Sequence, residues 1–147
     1  MFSKKNSLLT PTNESFDTYI GKRSKLHGRL VAEKSVRIDG EIYGNVEIAD
    51  TNENITIAIG ESGFVQGDIK SYRVLIAGRV DGNIYATEKV ELHRTSEVKG
   101  DITYGLLGIE HGANILGLMV KKTGNQTTVE DASDVLKKIQ QESNNKK

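Results

Sequence analysis

The chain has 147 residues, with 20 Lys plus Arg balanced by 20 Asp plus Glu and no Cys. The charge balance argues against a nucleic-acid binder, which shows a basic excess, and the lack of Cys excludes disulfides and thiol chemistry. No apolar run reaches the roughly 20 residues of a membrane-spanning helix and none forms a signal-peptide core, so the chain reads as a soluble cytoplasmic protein of one domain with tails.

Residues 1–17, MFSKKNSLLTPTNESFD, are polar with scattered apolar positions and hold the single proline, Pro11. Such a segment cannot bury enough apolar surface to fold, and disorder is expected. Met1 and Phe2 stand just before Lys4 and Lys5. Inserting Met and Phe into lipid contributes about 1.5–3 kcal/mol each. Each Lys near an anionic leaflet adds about 1 kcal/mol. One copy would bind weakly, and many copies on a polymer would bind by avidity. The other reading is an inert start peptide.

From residue 18 to 120 the chain repeats itself. VRIDGEIYGNVEI (36–48) alternates apolar and polar residues for 13 positions, and VLIAGRVDGNIYA (74–86) does the same. Strict alternation marks a half-buried strand, but an ordinary strand has about 5–6 residues. A shorter unit, apolar-x-Gly-x-apolar, occurs six times, centred on Gly28, Gly44, Gly67, Gly82, Gly100 and Gly117, about 18 residues apart. The longest gap holds the polar insert DTNEN, 50–54, which reads as one enlarged turn. A short fixed period means a repeat architecture. An antiparallel meander would need a turn signal between strands, whereas Asp39-Gly40 and Asp81-Gly82 lie inside the alternation. Glycines in phase with the core are therefore corners. The expected fold is all-β, a single-stranded β-solenoid of about six coils, with three short strands per coil. A sandwich or barrel of short strands is the rival fold.

The register implied by the glycines stacks Asp81 on Lys99 and Arg79 on Glu97, and puts Asn83 between Asp68 and Asp101. These neighbours are tolerable, because like charges are not stacked directly. The inward positions are almost all Val, Ile, Leu, Gly or Ala, so the interior leaves no cavity. No catalytic, cofactor-binding or metal-ligating residue is assigned. His93 and His111 are 18 apart, yet they fall out of register when counted from the following glycine, and Glu110 would stack on His93 instead. His27 lies on another face. The Asp/Asn ladder lacks the dense Asp spacing of a calcium loop, and no phosphate-binding fingerprint is present.

The last coil, LLGIEHGANILGLMV (106–120), puts Leu116 and Leu118 where earlier coils are polar. Either a tail covers them or another subunit meets them. Uncapped sheet edges are sticky. The assembly candidates are Tyr19, Ile20, Leu26 and Leu30 at one end, and Ile109, Ile115, Leu116, Leu118 and Met119 at the other. End-to-end association, whether of unlike or like ends, builds an endless filament. Residues 121–147 read as a tail. Val129, Ala132, Leu136 and Ile139 fall near helical spacing after Thr128, a candidate N-cap. A short helix and frayed disorder both fit.

The repeated V.I.G.V.GNI.A coils, the MF.K start and the absence of Cys resemble the bactofilins, bacterial cytoskeletal polymers. The resemblance spans about Tyr19 to Val120 plus the first residues. It implies a right-handed parallel β-helix, a handedness that periodicity alone does not set. It also implies nucleotide-independent, non-polar filaments joined head-to-head and tail-to-tail. The expected partners are the chain itself, lipid at the inner face of the cell membrane, and cell-shape proteins or cell-wall hydrolases. By the same resemblance Met1, Phe2, Ser3, Lys4 and Lys5 form a membrane-targeting peptide. The insert at 50–54 and the C-terminal tail depart from the pattern. Two other functions compete: a trimeric left-handed solenoid enzyme, which needs in-register His, and a soluble adaptor that displays its tails.

Overall fold

A computed structural model describes residues 15–51, 54–123, 126–131, 136 and 139. The chain winds through six coils, each giving one strand to each of three faces. The first coil holds β1 (Thr18–Ile20), β2 (Lys25–His27) and β3 (Leu30–Ala32), and the second β4 (Val36–Ile38), β5 (Glu41–Tyr43) and β6 (Val46–Ile48). The third coil holds β7 (Thr56–Ile59), β8 (Phe64–Gln66) and the start of β9 (Ile69–Ile76). The end of β9, β10 (Arg79–Asp81) and the start of β11 (Ile84–Leu92) make the fourth. The end of β11, β12 (Glu97–Lys99) and β13 (Ile102–Tyr104) make the fifth, and β14 (Leu106–Ile109), β15 (Asn114–Leu116) and β16 (Leu118–Thr123) the sixth.

The 13-residue alternation at 36–48 is thus one full coil. Its side chains keep alternating in and out while the backbone turns at Gly40 and Gly44. All strands within the six coils pair in parallel, in the register Ile42↔Val65, Val65↔Val80, Val80↔Val98 and Val98↔Ile115 on the second face. Arg79↔Glu97 and Asp81↔Lys99 are neighbours, as the glycine register requires. The interior is a file of Val, Ile and Leu, most of them fully buried. Tyr104 takes one inward position, beside Ala86 of the coil below. Most strands span only three or four residues. Of the longer ones, β9 and β11 run through the third corner, and β11 does so with a register shift between Ala86 and Lys89.

The second corner explains the glycine period. Gly100 has φ of +149°, and a Cβ there would sit 2.0 Å from the carbonyl oxygen of Gly82 one coil below. The same approach recurs at Gly44, Gly67, Gly82 and Gly117. At Gly28, in the first coil, a Cβ would meet nothing within 4 Å. Only glycine lets successive coils come this close at that backbone conformation.

The segment after Val120 differs from the expected tail. β16 continues to Thr123, and β17 (Gln126–Asp131) returns antiparallel along it, from Leu118↔Asp131 to Thr123↔Gln126. Thr128, read above as a helix cap, lies inside β17. Thr and Val favour strands, and Gly124-Asn125, between the strands, is a two-residue hairpin signature. Val129 of the expected helix also lies in β17, and Ala132 lies outside the described residues. The backbone at Leu136 and Ile139 is helical, and Ile139 packs against the core.

Candidate assembly surfaces at the two ends of the solenoid

Chemistry along the sides is structural. The residue after each corner glycine forms a ladder of side-chain acceptors. Asn45 Oδ1 accepts from the Asp68 amide at 2.9 Å, Asp68 Oδ1 from Asn83 at 2.9 Å, Asn83 Oδ1 from Asp101 at 2.9 Å, and Asp101 Oδ1 from Leu118 at 3.0 Å. Each carboxylate or amide is thus bonded to backbone one coil on. The ladder begins after Arg29 and stops at Leu118, neither of which has an acceptor.

On the outer surface Arg29 pairs with Glu47 at 2.7 Å, and this hydrogen-bonded contact lowers the Glu47 carboxyl below its ordinary range. His27 stacks on Tyr43 with ring centroids 4.9 Å apart, Tyr43 meets Phe64 edge-on, and the Arg79 guanidinium lies over Phe64. Tyr43 donates to Glu41 and Tyr72 to Glu88, and each hydroxyl's pKa is raised by that bond. His93 Nδ1 lies 3.9 Å from Glu110 Oε1, the neighbour the register assigns to it. Glu110 is buried and accepts from the Arg94 amide at 2.9 Å. The sequence reading missed this buried carboxylate because the first corner varies in length, from the two residues 39–40 to the four residues 110–113. Among the described residues no cluster of His, Asp and Glu could hold a metal. The grooves along the sides are open to solvent. One of them, about 450 Å³, is lined by Lys70, Tyr85, Thr103 and Lys122 among others.

The assembly candidates separate into two groups. Ile20, Leu26 and Leu30 occupy the inward positions of the first coil, above Ile38, Ile42 and Val46. Those three partners are fully buried, whereas the first-coil residues are half-buried, since among the described residues no coil precedes them. Tyr19 points outward, 62 % exposed, and donates to Asp39 Oδ2 at 2.7 Å. Ile109, Ile115 and Met119 hold the inward positions at the other end, with Ile109 half-buried and Met119 buried to 1 % exposure. Leu116 and Leu118 flank the last corner outward, 60 % and 43 % exposed. Leu107 and Ala113, which the sequence reading left out, pack beside this group. The apolar density of 106–120 was the signal for them.

The edges differ between the ends. Among the described residues β1, β2 and β3 each pair on one side only, so the first end is open on all three faces. At the last end β14 and β15 are open and β16 is covered by β17. The peptide Met1, Phe2, Ser3, Lys4, Lys5 lies outside the described residues. No described helix is long and apolar enough to cross a membrane.

Comparison with known proteins gives the family. The family model "Bactofilin: Polymer-forming cytoskeletal" matches residues 18–120, which spans all six coils. Bactofilin BacO of Myxococcus xanthus (strain DK1622) is 34% identical over 101 residues, covering 69% of this chain and 76% of the relative. Bactofilin BacP of the same organism is 28% identical over 109 residues, covering 74% of this chain and 43% of the relative. No solved structure matches the chain. By its six-coil solenoid and the family match across it, the chain belongs to the bactofilins, a family of polymer-forming cytoskeletal proteins.

Proposed function

We propose that this protein is a non-enzymatic structural subunit. It assembles without nucleotide into non-polar filaments, joined head-to-head and tail-to-tail through the ends of the solenoid. The observation that carries the reading is the pair of apolar, incompletely closed ends. Among the described residues, Ile20, Leu26 and Leu30 lack the overlying coil that buries the same positions elsewhere, and unpaired strands edge both ends. Unpaired edges with an apolar floor are a template for another chain. Like-to-like contacts are favoured by the acceptor ladder. Were the first coil of one copy stacked in parallel on the last coil of another, the Arg29 amide would fall over Leu118, which offers no acceptor.

The finer cellular role follows from the family and the first residues. Met1 and Phe2 with Lys4 and Lys5 tether filaments to the inner face of the membrane by avidity, where they scaffold cell-shape or cell-wall proteins. The test is negative-stain electron microscopy of the protein without nucleotide, beside Leu116→Asp. Filaments are expected in the natural protein and lost or shortened in the variant. Compact particles alone in the natural protein would refute the reading. Flotation with anionic liposomes, with and without residues 1–5, tests the tether.

A further inference from the structure

We propose that the outer edge of β16 is a strand-accepting surface for a second copy of this chain, and that β17 holds it shut. This rests on the polymer reading above and concerns how one end is regulated. Among the described residues β17 is the single antiparallel strand of the sheet, and it occupies the edge that a further coil or a second copy would use. Its register makes it a poor continuation of the core. In the coils below, the third-face positions in line with Met119 are Ile69, Ile84 and Ile102, all fully buried. The β17 residues matched to Met119, Lys121 and Thr123 are Glu130, Thr128 and Gln126. Every position that would extend the apolar file is therefore polar, as in the capping repeats of soluble solenoids.

Hydrogen bonding thus closes the edge, from Leu118↔Asp131 to Thr123↔Gln126. A strand of polar sequence in line with the core, joined to β16 by two residues, competes at high local concentration, while a second copy that continues the apolar file can displace it. The other two faces of the same end, β14 and β15, are already open. Displacement of β17 is what completes a three-faced surface there. The second copy would present its own last coil, because a first coil stacked there would bring the Arg29 amide over Leu118, which offers no acceptor.

The test compares three full-length proteins by sedimentation across a concentration series. In Thr128→Pro/Val129→Pro, one of the two adjacent prolines removes an amide that faces β16. In Val120→Cys/Val129→Cys, a disulfide between paired residues locks β17 down, in a chain with no other Cys. The expected result is a threshold for assembly about tenfold lower in the proline variant, equivalent to about 1.4 kcal/mol. The oxidised lock should raise the threshold, and reductant should restore it. Far-UV circular dichroism checks that each variant keeps the solenoid. Equal thresholds in all three would overturn the gate while leaving the filament reading intact, and so would loss of assembly in a folded proline variant. No assembly by any of them would instead overturn the reading on which the gate rests.

Discussion

Replacing Gly100 by Ala tests the stacking at the second corner. The added Cβ would stand 2.0 Å from the Gly82 oxygen and 2.6 Å from the Gly82 carbonyl carbon, both backbone atoms that cannot swing aside. Relief requires the two coils to part by about 1 Å, since real Cβ atoms stay beyond about 3 Å. That movement stretches the corner bonds Gly82 N–Lys99 O, 2.9 Å, and Asp101 N–Asn83 Oδ1, 2.9 Å, past useful length. Each lost bond costs about 0.5–1.5 kcal/mol, and Ala at φ +149° adds strain of about 1–3 kcal/mol. The total is about 4 kcal/mol, a large share of a typical 5–15 kcal/mol stability. Gly28→Ala is the control. It has a positive φ of +132° but nothing within 4 Å of the new carbon, so it pays strain alone, about 2 kcal/mol. With a urea m-value of about 2 kcal/mol/M, the midpoint should fall by about 2 M for Gly100→Ala and about 1 M for Gly28→Ala. Both are read by circular dichroism at one protein concentration, because assembly adds to apparent stability. A Gly100→Ala midpoint no lower than that of Gly28→Ala would refute the close stacking of corners.

Two further outcomes follow from the ladders. Asn83→Asp would stack a third carboxylate between Asp68 and Asp101, about 4.8 Å from each. Repulsion raises the new group's folded pKa, so the loss of melting temperature relative to the natural protein should be full near pH 7 and shrink as the pH falls toward about 3.5. An equal loss at both pH values would show that the side chains do not stack. Glu47, whose carboxyl is lowered by Arg29, stabilises the fold fully above its ordinary value of 4.5 and loses that contribution as the pH falls through the depressed folded value. Arg29→Met should flatten the fall in melting temperature over that acid range, and an unchanged profile would remove the ion pair from the account.

The coil was legible because one physical cause acts at every turn. A narrow β-solenoid needs alternation for its core and glycine where coils approach at 2.0 Å, and both demands leave marks at fixed spacing. The glycine register therefore also placed Asp81 on Lys99 and Glu110 by His93. What occurs once left no period to find. β17 falls in a segment where a short helix and a frayed tail both fit, because Val129, Leu136 and Ile139 are spaced like one face of a helix. The hairpin signal, Gly124-Asn125 followed by Thr127, Thr128 and Val129, is local and occurs once. The first corner hid Glu110 for a related reason. Its length changes from the two residues 39–40 to the four residues 110–113, so counting from one glycine to the next does not say which residue turns inward.

The same positions govern folding and assembly. In a solenoid each coil is stabilised by its neighbours, so the end coils are the least supported. Ile20, Leu26 and Leu30 show this directly, half-buried where their partners one coil on are fully buried. Any contact that covers them stabilises the coil and joins two molecules in one step. Parallel stacking of unlike ends would do so most simply, but the acceptor ladder stops at Leu118, the residue that would have to accept from the Arg29 amide across such a joint. A two-fold contact runs the edge strands antiparallel and does not use that ladder, so the missing acceptor does not oppose it. On the proposed reading, residues that look like departures from the repeat are those that choose the symmetry of the filament. Leu118→Asn restores an acceptor at the last coil. It should favour mixed-end joints, seen as filaments with a direction, and filaments still without direction would count against that role for the ladder.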